Sequence, residues 1–268
     1  MSFNKQKRLG QVFLKDQGVI KKIVHTGEIK PKDQVLEIGP GKGILTQSLI
    51  ETGANIVAIE KDRELVEFLK NKFKNHLNLK IVYGDIRDFL KNNQNRKLKG
   101  NYKVIGNIPY YLTSHLIQIL LELENQPQDI ILMIQKEVAK RIVEQPPKMN
   151  LLAASVRFYA KPEIICYVSK TSFSPKPKID SAVIKITPIK TKENTNKILA
   201  KKFFTIAKAG FKQPRKLLIN NLSNNLKIEK ENIKKAYQSL NISLDSRAQD
   251  LSINKWISLS LLLIEDDV

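Results

Sequence analysis

Between residues 34 and 187, short β-rich apolar runs alternate with longer stretches in which apolar positions recur every three or four residues. That alternation predicts a mostly parallel sheet covered by helices on both faces, the α/β class. Strands are predicted at 34–38, 55–59, 80–82, 102–106, 130–134, 164–168 and 182–186, and helices at 44–51, 63–74, 114–123 and 136–143. Runs such as Ile130-Ile131-Leu132-Met133-Ile134 show no polar alternation, as expected of strands buried on both faces. A single basic loop separates the last two strands, so an antiparallel hairpin is expected at that edge. Beyond Pro188 the strand pattern stops and amphipathic helical stretches follow, near 196–209, 215–224, 230–240 and 252–264. The polar segment 187–196, with its proline, reads as a linker. The expected organisation is an α/β domain over 1–188, with a basic N-terminal arm over 1–30, and a small all-helical domain over 189–268.

Charge narrows the partners. Lys and Arg total 46 against 26 Asp and Glu, a formal net charge of +20 on a chain that is 42% hydrophobic. The composition is globular, so disorder is not the source of the charge. A folded protein with this excess favours polyanions, whether RNA, DNA or an anionic membrane; a generally Lys-rich proteome is the bland alternative. One cysteine, Cys166, excludes an internal disulfide, and three histidines form no cluster with metal-ligand spacing. Residues 1–14 lack an apolar stretch of the signal-peptide kind, and the run 256–264 is too short to span a bilayer. A reduced, metal-free, cytoplasmic protein is expected, with no membrane attachment and nothing that demands more than a monomer.

The first predicted strand runs into Glu37-Ile38-Gly39-Pro40-Gly41-Lys42-Gly43 and then a helix, a turn at which a ligand can approach the backbone closely. Its G-x-G-x-G spacing is neither the dinucleotide fingerprint nor a phosphate-binding G-K-[ST] loop. The second strand ends at Glu60, placed to accept ribose hydroxyls, and the third at Gly84-Asp85, where a second carboxylate can take the amine of an adenine. Gly39, Gly41, Glu60 and Asp85 on successive strand ends describe an S-adenosylmethionine site better than any other nucleotide site. The glycine turn alone is equally well a structural device, and Lys42 within it reads as exposed.

After the fourth strand comes Asn107-Ile108-Pro109-Tyr110-Tyr111. An adenine N6 amine is a poor nucleophile because its lone pair is delocalised into the ring. Acceptors placed on its two hydrogens draw the nitrogen towards a tetrahedral geometry, and the Asn107 side-chain oxygen and the Ile108 carbonyl supply two. Pro109 fixes the loop and has no competing N–H, and Tyr110 offers a face for an extruded base. The bland alternative is an Asn-x-Pro turn with two core tyrosines. Two further segments read as substrate contacts. The loop 172–178 carries Phe173, for base stacking or merely for anchoring the loop, and Lys176; the segment 212–218 carries Lys212, Arg215 and Lys216, which suit phosphate contacts or equally a solvated basic helix face, with Pro214 suited to a first helical turn. Lys136, Lys140 and Arg141 read as a solvated helix face.

With these motifs in view, the chain resembles the ribosomal RNA adenine N6-dimethyltransferases, and within them the bacterial small-subunit (16S) branch. The resemblance covers nearly the whole chain: Leu9-Gly10-Gln11-Val12-Phe13-Leu14, 37–43, 107–110, 135–141, 173–181 and Arg247-Ala248-Gln249-Asp250-Leu251. It implies dimethylation at N6 of two adjacent adenosines in the 3′-terminal hairpin loop of 16S rRNA, on a pre-assembled small ribosomal subunit, with S-adenosylmethionine as methyl donor. It also implies that the segment around Val12 and Leu14 closes over the cofactor, and that Gly39, Glu60, Asp85 and Asn107 contact the cofactor or the target base. Val12 stands where the family usually has Asn, so only backbone contact is expected there. Ile108 replaces the commoner Leu, a spelling shared with the large-subunit macrolide-resistance methylases, and Tyr111 takes a place often held by Asn. The alternatives carried forward are that large-subunit activity and a non-catalytic RNA-binding assembly factor on the same fold.

Overall fold

A computed structural model of the chain describes residues 12–91, 101–108 and 112–264. The chain divides into two compact units, residues 1–139 with 162–188, and residues 140–161 with 189–268. The stretch 140–161 thus groups with the C-terminal helices, although its position in the sequence lies between two strands of the sheet.

The first unit is built on a seven-stranded sheet. Its strands are β2 (Gln34–Ile38), β3 (Asn55–Glu60), β4 (Leu79–Tyr83), β5 (Tyr102–Asn107), β6 (Asp129–Gln135), β7 (Ala160–Val168) and β9 (Ser181–Pro188). They lie in the order β4-β3-β2-β5-β6-β9-β7, parallel from β4 to β6, with β9 antiparallel to β6. The order reverses between β2 and β5, the point at which an open α/β sheet leaves a crevice beyond its strand ends. Helices α2 (Ile44–Ile50), α3 (Arg63–Lys72), α4 (Ile86–Lys91), α5 (Thr113–Glu122) and α6 (Lys136–Val143) follow β2, β3, β4, β5 and β6 in turn. All seven predicted strands form, and β7 begins four residues earlier than its apolar run because Pro162 is tolerated in an edge strand. β7 and β9 do lie side by side at that edge, with β9 on the inner side.

The segment expected as a basic N-terminal arm is packed into the fold from residue 13 onward. Phe13 and Leu14 form β1, which pairs antiparallel with β8 (Phe173–Ser174) in a separate two-stranded ribbon. Asp16 then caps α1 (Gln17–Thr26): its Oδ1 accepts the amides of Gly18 and Val19, and its Oδ2 accepts the Ser172 hydroxyl at 2.8 Å. Ile20 and Ile23 bury one face of α1 in the core with Val35, Leu49 and Ile56. From residue 13 onward the arm is part of the fold, because its apolar face has a core to join. Neither the ribbon nor α1 showed as a strong run in the sequence.

The second unit is helical: α7 (Leu151–Tyr159), α8 (Lys192–Thr195), α9 (Lys197–Gly210), α10 (Leu218–Leu226), α11 (Lys230–Ser239) and α12 (Ile253–Leu263). Its core stacks Phe158 on Phe203, ring centroids 4.1 Å apart. Gly210 ends α9 under the Trp256 ring, where any Cβ would stand 2.4 Å from an indole carbon. Helix α10 begins at Leu218, three residues later than predicted, so Pro214 sits in the preceding turn and opens no helix.

Candidate active site at the carboxyl ends of β2, β3, β4 and β5

Gly39, Gly41 and Gly43 all take left-handed backbone, with φ of 67°, 58° and 75°. This conformation disfavours any side chain, and all three positions are also crowded, Gly39 by the Asn107 carbonyl at 3.3 Å. A Cβ on Gly41 would lie 3.0 Å from the Phe13 ring, and one on Gly43 would lie 2.6 Å from the Phe73 ring and 2.7 Å from Leu69. The turn therefore presents bare backbone at the start of α2. Lys42 is exposed, with its ammonium 5.0 Å above the Phe13 ring.

Glu60 ties this turn to the end of β3. Its Oε2 accepts the Gly41 amide at 3.1 Å, while Oε1 accepts the amides of Lys61 and Asp62 at 2.8 and 2.9 Å. Three backbone donors occupy three of the roughly four acceptor directions of a carboxylate, leaving one on Oε2. Burial raises the Glu60 carboxyl above its usual range, and those backbone donors oppose the rise.

Beneath the turn lies Glu37, 1% exposed, with its carboxyl oxygens and the nearby Thr46 hydroxyl unpartnered in ordinary geometry. Burial pushes Glu37 up to about 8, Thr46 opposes the shift and the Glu60 charge adds to it. Glu37 is assigned no role from the sequence, although an acid inside the apolar run Val35-Leu36-Glu37-Ile38 is a pattern that marks a buried titratable group.

Asp85 follows β4 and is held in the opposite manner. Arg87 donates to it three times, from its amide and Nε to Oδ1 at 2.9 and 3.0 Å and from Nη2 to Oδ2 at 2.7 Å; Lys61 Nζ reaches Oδ2 at 3.1 Å. These donors hold its carboxyl well below the usual carboxylate range, the Arg87 side chain first among them. The strand-end position marks Asp85 in the sequence but neither cation, although Arg87 lies only two residues away.

Asn107 ends β5. Its Nδ2 donates to the Val12 carbonyl at 3.3 Å, so Oδ1 is the side-chain atom left to accept. The Val12 carbonyl, expected to face the cofactor, is here the acceptor for Asn107. A Cβ on Gly106 would stand 2.7 Å from the Ile38 carbonyl, so β5 passes close beside β2 immediately before the asparagine. The Ile108 side chain is buried, leaving its backbone as the group to offer. Pro109 and Tyr110 lie outside the described residues.

Not every expected contact is available. Phe173 is 3% exposed and belongs to the sheet core, so it anchors its loop through β8 and cannot stack on a base. Leu14, opposite it in the ribbon, is likewise buried in that core. Lys176 is exposed on the same loop. In the helical unit Lys212, Arg215 and Lys216 are all exposed on the turn before α10. Buried Asn221 shapes that turn by donating to the carbonyls of Gly210 and Gln213 at 2.8 and 2.9 Å.

The geometry fits an adenosine-bearing cofactor: bare glycine backbone, one remaining acceptor direction on Glu60, and a carboxylate at the end of the next strand. Comparison with known proteins agrees. The family model for ribosomal RNA adenine dimethylase matches residues 2–265. Ribosomal RNA small subunit methyltransferase A of Dehalococcoides mccartyi strain 195 is 39% identical over 263 residues, 97% of this chain and 89% of that protein. The protein of the same name from Mycoplasmopsis synoviae is 40% identical over 261 residues, 96% of each. Among solved structures, a dimethyladenosine transferase from Plasmodium falciparum superposes with a TM-score of 0.73 at 24% identity, covering 92% of this chain and 95% of that one. The 23S rRNA methyltransferase ErmE superposes with 0.72 at 22% identity, covering 94% and 99%. These two share the fold. With a match that runs from residue 2 to residue 265 and the glycine turn, Glu60, Asp85 and Asn107 brought to one edge of the sheet, the chain belongs to the ribosomal RNA adenine dimethylase family of S-adenosylmethionine-dependent methyltransferases.

Proposed function

We propose that this protein methylates N6 of two adjacent adenosines in the 3′-terminal hairpin loop of small-subunit (16S) rRNA, giving N6,N6-dimethyladenosines, and that it does so as a cytoplasmic monomer on a pre-assembled small subunit. The observation that carries the reading is the orientation of Asn107: with Nδ2 given to Val12, the Oδ1 acceptor remains for the hydrogens of an adenine amine. That acceptor, with the Ile108 carbonyl as a second, localises the N6 lone pair before attack and then helps to hold the proton that N6 sheds once it carries the methyl. S-adenosylmethionine, when bound, supplies the electrophilic methyl on its sulfonium. Gly39 and Gly41 leave backbone room for it, Glu60 offers an acceptor to its ribose and Asp85 one to its adenine.

The names of the relatives at 39 and 40% identity support the small-subunit substrate over the large-subunit one. The exposed cations Lys176, Lys212, Arg215 and Lys216 suit phosphate contacts within the +20 charge. No helix among the described residues is long and apolar enough to cross a membrane.

The test supplies labelled S-adenosylmethionine with undermodified small subunits, large-subunit RNA or duplex DNA, followed by mass spectrometry of the nucleosides. Dimethyladenosine in the small-subunit RNA alone is expected; its absence there refutes the reading. Asn107→Ala should abolish transfer while cofactor binding, followed by calorimetry, falls only modestly. Wild-type turnover in that variant would remove the acceptor role.

A further inference from the structure

Asp85 makes four hydrogen bonds through its two oxygens. Oδ1 takes the Arg87 amide and Nε, and Oδ2 takes Arg87 Nη2 and Lys61 Nζ. An ionised carboxylate has about four acceptor directions, so all are filled. A fifth donor, such as the exocyclic amine of an adenine, can reach this carboxylate only by replacing one of the four.

The two cations differ in how readily they leave. Arg87 lies two residues from Asp85 and grips both oxygens with its planar fork, Nε at 3.0 Å from Oδ1 and Nη2 at 2.7 Å from Oδ2, while its backbone amide adds a third bond to Oδ1 at 2.9 Å. Bidentate guanidinium pairs are pre-organised and geometrically specific. Lys61 reaches across from the end of β3 with a single contact at 3.1 Å, and its side chain is 55% exposed against 36% for Arg87. An exposed ammonium returns to water at little cost, because such pairs contribute little in the first place. Replacing Lys61 frees one direction on Oδ2, while the fork of Arg87 continues to fix the rotamer and the charge of the acceptor.

We propose that Lys61 is a placeholder on Asp85 that the adenine amine of the cofactor displaces, and that Arg87 is the positioning residue that aims Asp85 at that amine. This assignment rests on the cofactor reading above and adds two residues to it. Selectivity for adenine then comes from an exchange. A ligand with an N–H donor fills the direction that Lys61 vacates, whereas one without a donor leaves Lys61 in place and gains nothing from Asp85.

The experiment is calorimetric titration of the full chain with S-adenosylhomocysteine and with its 6-deamino analogue, which carries purine in place of adenine. The wild type should prefer the adenine ligand. Lys61→Met should bind S-adenosylhomocysteine about 3- to 10-fold more tightly, because the amine no longer competes with an ammonium, and should leave the deamino ligand unchanged. Arg87→Ala should weaken S-adenosylhomocysteine about tenfold and the deamino ligand by less than about twofold. Arg87→Lys, a charge without the fork, should fall between. A Lys61→Met variant that gains nothing, or an Arg87→Ala variant that weakens both ligands equally, overturns the proposal. So does a wild type that binds both ligands alike, with the cofactor reading left standing. A wild type that binds neither removes the cofactor reading as well. Should Arg87→Ala fail to fold, the Lys61→Met pair of titrations decides alone.

Discussion

Two neighbouring regions at the same edge of the sheet hold carboxyl groups in opposite ways. At the glycine turn, Glu37 and Glu60 are buried, 1% and 7% exposed, and burial drives both towards the neutral form. At the end of β4, Asp85 is ringed by two partly exposed cations and held ionised. The difference is one of what each acid serves. Glu60 satisfies backbone amides that the strand ends leave open, so it must be inside, whereas Asp85 takes three of its four donors from side chains, one of which, Lys61, is free to return to water. Burial makes a carboxyl a part of the architecture, and exposed counter-ions make one exchangeable.

The contrast can be broken at four points. The largest effect is expected of Gly43→Ala, which forces left-handed backbone on a side chain and drives a methyl into Phe73 and Leu69. A loss of about 3 kcal/mol in urea unfolding is expected, from strain and overpacking together. A loss under about 1 kcal/mol would mean that the turn yields freely. Next comes Glu60→Gln, which turns one accepting oxygen into a donor facing backbone amides. About 2 kcal/mol of stability should go, with S-adenosylhomocysteine binding reduced at least tenfold in calorimetry.

Glu37→Gln tests protonation. A buried acid raised to about 8 contributes its full stability below its unfolded value near 4.5 and loses it as the pH climbs towards 8. Wild-type stability should therefore fall relative to the variant by up to about 1.4 kcal/mol per pH unit across that window. Parallel curves would show that Glu37 ionises normally. The smallest effect is expected of Asp85→Asn on stability, under about 1 kcal/mol and shrinking with added salt, because its partners are exposed and screened. A loss as large as that of Glu60→Gln would erase the distinction between the two regions.

How much of this was legible in the sequence follows the same division. Every strand of the large sheet was readable, because runs such as Ile130–Ile134 are apolar without alternation. The ends of β3, β4 and β5 could therefore be named as the positions of Glu60, Asp85 and Asn107. The helical second unit was visible too, but not that 140–161 belongs with it, because a chain that leaves the sheet and returns to it writes no boundary in composition. The ribbon of β1 and β8 is two residues long on each side, below what any periodicity can show. The choice between stacking and anchoring at Phe173 stayed open for that reason: an aromatic in a basic loop resembles a stacking platform until its partner strand is known. Arg87 and Lys61 went unassigned because the direction of a long side chain is set by its neighbours, not by the pattern of the chain.

The position of β9 carries a consequence for synthesis. It is the last strand made, yet it lies between β6 and β7, and the ribbon that draws residues 12–14 to Asn107 is completed only by residues 173–174. A nascent chain that has emerged as far as residue 168 holds the glycine turn, both strand-end acids and the asparagine, but has no β8 to seat Val12 and no β9 to attach β7. The catalytic edge is encoded early and assembled late, so a truncated product would keep the motifs and lack the contact that orients Asn107.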